Sequence, residues 1–274
     1  MDILELMKKD LERRRYSKRT VQTYLFCFHK FLNWIKKEPR KISKKDIEEF
    51  LQKLNNKGFS ASTLNLYLQA IKYPLQYILN KRNIFVNLPF SKTPKKLPAF
   101  LTKEEIKLLI GSIGNLKHKL MIELLYSSGL RISELINLKV KDLEFDSNFG
   151  WVLGGKGNKD RLFIIAQKIK GKLQQYIKEQ DLKYENLLFS GRRGMYSAAS
   201  IQEIVKQATK KSKINKKVHP HTLRHSFATH LIEDGYSLVS VQSLMGHNSP
   251  ETTMIYVHMA KPKIMDIKSP YDAL

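Results

Sequence analysis

The feature that most limits what this chain can fold into is a break. Between residues 87 and 98 the run Asn-Leu-Pro-Phe-Ser-Lys-Thr-Pro-Lys-Lys-Leu-Pro places three prolines and three lysines inside an otherwise helical pattern. Proline fixes φ, removes a backbone donor and pushes its predecessor out of helical space, so the stretch reads as an extended, basic linker. The 274 residues therefore divide into two modest domains. The expected limits are 1–86, a linker at 87–99, a second domain at 100–260 and a C-terminal segment at 261–274.

Before the break every apolar stripe has helical spacing. Ile3, Leu4, Met7 and Leu11 form one stripe. Ser17 opens a second segment through Val21, Tyr24, Leu25, Phe28, Phe31, Leu32 and Ile35. Ser43 followed by Asp46 resembles a capping box, and Gly58 closes that third helix. A fourth helix is expected over about 60–80, with a kink or break at Pro74. Four short helices without strands make a small bundle.

Beyond the break, Thr102 and Glu105 predict a capped helix start, and helical spacing continues to about residue 113 and again over 116–127. Gly129 precedes another helix at about 131–137. The period then changes: 151–155 and 161–165 are strand-like runs about Lys156-Gly-Asn-Lys-Asp160, a β-hairpin turn. Helices return at about 167–179, 197–211, 222–234, 238–245 and 251–260, with Gly235 and Gly246 as helix ends and Ser249-Pro250-Glu251 as a helix start. The fold class is mainly α with a small β-hairpin or sheet.

Charge indicates the partner class. There are 49 Lys and Arg against 25 Asp and Glu, a net +24, and 42% of residues are hydrophobic, which excludes a disordered basic tail. Residues 1–95 carry 21 basic and 8 acidic side chains, and residues 96–274 carry 28 and 17. Both halves are basic, the footprint of a polyanion gripped by two domains. The single cysteine, Cys27, excludes a disulfide framework and a Cys-rich zinc site. The opening Met-Asp-Ile-Leu-Glu-Leu has acids where a signal peptide has bases, and no apolar run is long enough to span a bilayer. A soluble, cytoplasmic protein is expected.

Four segments carry unusual polar residues. Arg131 opens a helix, where a cation opposes the helix dipole; it either pairs with Glu134 or is aimed at an anion near the helix N-terminus. Lys156 lies between two glycines of the predicted hairpin turn. It is either solvated or an ammonium delivered to a phosphate, a role for which Lys159 and Arg161 compete. His221 and Arg224, at i,i+3, share a helix face and can grip one anionic group. His221 and His225 lack the glutamate of a HExxH zinc motif and flank Arg224, which repels a cation, so no metal is expected; His225 and His230 are expected to pack or cap locally. His247 follows Gly246, and Tyr256 lies among Met254, Ile255, Val257 and Met259, either as a core residue or as a nucleophile.

Together these residues suggest a chemistry. Guanidinium groups can neutralise the non-bridging oxygens of a phosphodiester without a metal. A tyrosine hydroxyl, with an ordinary pKa of about 10 lowered by neighbouring cations, can attack it. A lysine or histidine can protonate the leaving oxygen, giving a covalent phosphotyrosine ester.

Gly-Leu-Arg131-Ile-Ser-Glu134, Gly-Lys156-Gly-Asn-Lys159-Asp-Arg161, His219-Pro-His221-Thr-Leu-Arg224-His225-Ser-Phe-Ala-Thr-His230 and Leu-Met-Gly-His247 with Tyr256 resemble the tyrosine recombinase (phage integrase) family over essentially the whole chain. The compact length is most similar to its Xer-type members. The resemblance implies a SAM-like, four-helix core-binding domain followed by a mixed α/β catalytic domain. It implies that Arg131 and Arg224 clamp the scissile phosphate and that His221 transfers a proton or bonds that phosphate. Lys156 would protonate the 5′-oxygen, His247 bond the phosphate, Tyr256 attack, and Glu134 support the site. Lys18, Arg19, Lys159 and Arg161 are expected DNA contacts.

The implied activity is site-specific recombination through a 3′-phosphotyrosyl intermediate and a Holliday junction, in chromosome dimer resolution or in DNA integration and excision. It needs no cofactor. The implied partners are double-stranded DNA with a palindromic core site and three further copies of the chain, with residues 261–274 passed to a neighbour or packed on their own domain. Two alternatives share the fold: a type IB topoisomerase-like enzyme and a catalytically silent DNA-binding regulator. The one local departure, Tyr-Val-His-Met from residue 256 where relatives commonly have Tyr-Thr-His, touches no catalytic position.

Overall fold

The structure is a computed structural model that describes residues 2–85, 88, 90–92, 98–154, 160–191, 194–246 and 249–260. The chain divides into two compact units, residues 1–95 and 96–274. The expected linker falls largely outside the described residues, as does the C-terminal segment 261–274.

The first unit contains helices α1 (Ile3–Arg13), α2 (Lys18–Ile35), α3 (Lys44–Asn56) and α4 (Ala61–Tyr77). Their starts follow the capping residues: Ser17, Ser43 and Ser60 each accept a backbone N–H from the first turn, and Ser43 and Asp46 form the reciprocal box. The stripes meet in one core, where Met7, Leu11, Phe28, Phe31, Ile47, Ile71 and Leu75 are fully buried. Phe50 packs edge-on to Phe31 at 5.1 Å and to Tyr67 at 5.7 Å between ring centres. Pro74 does not break α4, which continues to Tyr77. The proline sits in the last turn, so only the short remainder of the helix lies beyond the bond it removes.

The second unit opens with α5 (Lys103–Gly111), on the Thr102–Glu105 capping box, then α6 (Leu116–Ser128) and α7 (Ile132–Asn137). Strands β1 (Leu143–Glu144), β2 (Phe149–Val152) and β3 (Arg161–Ile164) form an antiparallel sheet in that order, with Gly150 opposite Phe163 and Val152 opposite Arg161. Next come α8 (Gln167–Glu179), a two-stranded ladder of β4 (Ser190–Gly191) with β5 (Gly194–Met195), and α9 (Ala198–Lys211). The unit continues with α10 (Pro220–Glu233), α11 (Leu238–Met245) and α12 (Pro250–Met259). α6 runs through the main core, with Leu120, Met121, Ile122, Leu124 and Leu125 buried. A smaller core of Phe227, Ala228, Val241, Met245, Tyr256 and Met259 joins α10, α11 and α12. Among the described residues no helix is long and apolar enough to cross a membrane.

Candidate active site

The site is assembled on the ends of α6, α10 and α11, on α7 and α12, and on strand β3. Gly129 ends α6 with φ +59°, and a Cβ there would collide with the Phe227 ring. The chain can therefore turn tightly into Arg131, the N-cap of α7. Glu134, in the third position of α7, turns back: its Oε2 accepts the Arg131 backbone N–H at 2.8 Å and its Oε1 accepts the Arg131 guanidinium at 2.7 Å.

Glu134 is the hub of a buried cluster. Its Oε2 also accepts from Arg161 Nη2 at 2.6 Å, and Arg224 Nη1 stands 3.9 Å away. Burial alone would raise the Glu134 carboxyl pKa. The Arg161 charge, with hydrogen bonds from Arg161 and Arg131, outweighs it and holds that pKa below the ordinary value. The three arginines also grip the end of α11. Arg161 donates to the Leu244 carbonyl at 2.5 Å, Arg224 to those of Met245 and Gly129, and Arg131 to that of Gly246 at 3.2 Å. Cations at these carbonyls complement the negative end of the helix. Gly246, at φ +57°, is required here, because a Cβ would lie 2.6 Å from Arg161 Cδ. Burial, then the neighbouring Arg131 and Arg161, pull the Arg224 pKa down to about 9, which leaves it charged at neutral pH.

α10 contributes His221, Arg224 and His225. Arg224 is buried, His225 half-buried and His221 exposed. The two imidazole rings lie 6.4 Å apart. Tyr256, on α12, is 2% exposed, and its hydroxyl stands 3.0 Å from His225 Nδ1. Its pKa is raised rather than lowered. Burial outweighs the opposing pull of Arg224 and Arg131, so the expected depression is not found in this arrangement. His221 is held below its ordinary imidazole pKa by desolvation, then by Arg224 and Arg131.

The structure thus brings together Arg131, Glu134, Arg224 and Tyr256. Lys156, Lys159 and His247 lie outside the described residues. Lys18 and Arg19 are exposed on the first turn of α2. Arg161, expected at a DNA surface, points the other way: it is 9% exposed and engaged by Glu134 and Leu244. Strand alternation explains this, since Arg161 shares the inward face with fully buried Phe163. His225, expected to pack locally, instead meets the Tyr256 hydroxyl; its i,i+4 spacing from His221 was the available signal. His230 does pack, bonded to the Tyr126 hydroxyl at 2.9 Å. A cleft of about 560 Å³ opens beside Arg131, lined also by Lys139, Lys141 and Trp151. Neither Arg224 nor Tyr256 lines it, so it is not the centre of the cluster. Among the described residues no group of three or more His, Cys, Asp or Glu side chains is placed to hold a metal.

The sequence matches the family model described as "Phage integrase family" over residues 99–263 and that of "Phage integrase, N-terminal SAM-like domain" over residues 3–83. It is 38% identical over 259 residues to the tyrosine recombinase XerA of Pyrococcus horikoshii, covering 93% of this chain and 88% of that protein. It is 36% identical over 265 residues to a tyrosine recombinase of Thermosipho africanus, covering 92% and 93%. Among solved structures, XerH site-specific recombinase bound to its palindromic difH substrate, in a post-cleavage complex, matches with a TM-score of 0.74 and 25% identity, covering 98% of this chain and 85% of that one. The chain belongs to the phage integrase family, as a tyrosine recombinase of the Xer type.

Proposed function

We propose that this recombinase cleaves and rejoins double-stranded DNA at a specific, palindromic core site, with Tyr256 as nucleophile. The observation that carries the reading is the convergence of the Arg131 and Arg224 guanidiniums on Glu134, with Tyr256 close enough for both arginines to pull on its pKa. Planar guanidiniums present paired donors to the non-bridging oxygens of a phosphate, and their charge stabilises the pentacoordinate transition state. Glu134 keeps the mutually repelling cations together before the substrate arrives.

Tyr256 Oη forms a bond to phosphorus as the bond to the 5′-oxygen breaks, and the phenol proton passes to an imidazole or to water. Lys156 protonates the departing 5′-oxygen, while His221 and His247 hydrogen-bond the phosphate, as the family resemblance implies. The 3′-phosphotyrosyl ester conserves the bond energy, so a partner strand's 5′-hydroxyl reverses the step. Four copies on two sites complete strand exchange, and Lys18 and Arg19 contact backbone phosphates. The reaction is placed in the cytoplasm, with the DNA it acts on. It serves chromosome dimer resolution or integration and excision, which share one active site. The palindromic substrate of XerH supports a palindromic site here.

The test uses the site recovered by sequencing DNA bound to the purified chain, rebuilt as a nicked suicide substrate. An SDS-stable protein–DNA adduct is expected, and none with Tyr256→Phe. Absence of the adduct with the wild-type chain, or its persistence in the variant, contradicts the reading.

A further inference from the structure

We infer that His225 is a positioning residue for the nucleophile: its Nδ1 accepts the hydrogen bond of the Tyr256 hydroxyl and sets the direction in which Oη meets phosphorus. The inference rests on the reading of Tyr256 as nucleophile and goes beyond it, because His225 lies outside the residues to which the resemblance assigns a role.

The geometry is direct. His225 Nδ1 and Tyr256 Oη are 3.0 Å apart, within hydrogen-bond range, and the two rings lie 5.6 Å apart at 45°. Both partners are held by their helices. His225 follows Arg224 on α10, whose guanidinium is tied to the Gly129 and Met245 carbonyls, which anchors the helix turn that carries the imidazole. Tyr256 is packed among Phe227, Ala228, Val241, Met245 and Met259. His221 approaches from one turn earlier on α10, its ring 6.4 Å from that of His225, and contributes like charge when protonated.

The state of the imidazole permits that direction of the hydrogen bond. Burial, then His221 and Arg224, hold the His225 pKa down at about 4. The ring is therefore neutral at neutral pH and can offer Nδ1 as an acceptor, which an imidazolium cannot. A phenolic hydrogen prefers to lie in the ring plane, on one side or the other. An acceptor on one side fixes that choice and leaves an oxygen lone pair facing away from it. His225 thereby selects the face of Oη presented to an incoming phosphate. A misdirected nucleophile loses rate without any loss of substrate binding.

The experiment measures single-turnover cleavage of the nicked substrate by the full-length chain, with DNA affinity determined on the same preparation. His225→Ala is expected to cleave about tenfold more slowly, the value of roughly one hydrogen bond, at unchanged affinity. In His225→Asn the Oδ1 atom stands close to where Nδ1 stood, so it should recover most of the rate. Wild-type cleavage by the alanine variant overturns the inference, and so does an asparagine variant as slow as alanine. Failure of the underlying recombinase reading is distinguishable, because it would appear as absence of the adduct with the wild-type chain.

Discussion

The two units treat buried polarity in opposite ways. Among the described residues of the first unit, one polar or charged residue is buried, Asp46, which serves a helix cap and Lys37. Eleven are buried among the described residues of the second unit, including Glu134, Arg161, Arg224, Ser226, Thr229 and His230. A bundle made only to present a surface can fill its centre with Phe28, Phe31, Phe50 and Ile71. A unit that buries Glu134, Arg161 and Arg224 cannot, and each buried charge there requires a partner. The first unit is thus read as one that grips, the second as one that reacts, and substitutions in the two should fail differently.

The largest effect on the reaction is expected from Arg224→Ala, which removes one guanidinium of the proposed clamp and should slow covalent cleavage by about 10²–10³-fold. DNA affinity, set by many surface contacts, should change far less. A proportional loss of affinity would erase the distinction between gripping and reacting.

Next come two stability measurements of comparable size. Glu134→Gln leaves Arg131 and Arg161 without their carboxylate and should destabilise the second unit by about 3–5 kcal/mol. Phe31→Ala empties the first unit's core and should cost about 3–5 kcal/mol there. Trp34 lies in one unit and Trp151 in the other, so single-tryptophan variants followed by fluorescence melts report each unit separately. Each substitution should move only its own unit's transition.

Acid should separate the units further. His225, at about 4, and His230 are held below the ordinary imidazole value of 6.5, chiefly by burial. Below pH 6.5 the unfolded chain binds protons that these folded histidines refuse, so stability is complete above that value and is lost as pH falls toward about 4. The only histidine of the first unit, His29, is exposed. Its buried acid, Asp46, has a lowered pKa, so that contribution is present above 3.8 and is lost only below it. Melts between pH 7 and 4 should therefore lower the second transition and spare the first.

The smallest effect concerns the grip. Lys18→Ala and Arg19→Ala should each reduce the slope of log affinity against log salt by about 0.9 if each removes one phosphate contact. The cleavage rate at saturating DNA should not change.

Much of this architecture was readable because short-range chemistry set it. Ser43 with Asp46, Thr102 with Glu105, and Gly246 marked helix ends through hydrogen bonds made within a few residues. The strands expected at 151–155 and 161–165 were readable from the change of period, although the first is found at Phe149–Val152 and the turn at 156–160 lies largely outside the described residues. β1, β4 and β5 were not, since strands of two residues have no period to detect. Within the site, the arginines and Tyr256 stand out by their motifs, whereas Arg161, expected as a DNA contact, is turned inward. Charge suggested the surface, and the alternation with Phe163 that turns it inward carried the better information. The raised Tyr256 pKa was beyond the sequence, because the balance between burial and two nearby guanidiniums depends on depth and distance.

The central claim, that the second unit's cation cluster exists to serve Tyr256, is tested most directly by locating the covalent bond. The wild-type adduct with a nicked suicide substrate is digested with nuclease and protease, and the modified peptide is sequenced by mass spectrometry. The expected product is a nucleotide joined through its 3′-phosphate to Tyr256. A phosphate carried by any other residue, or joined through the 5′ side, would contradict it.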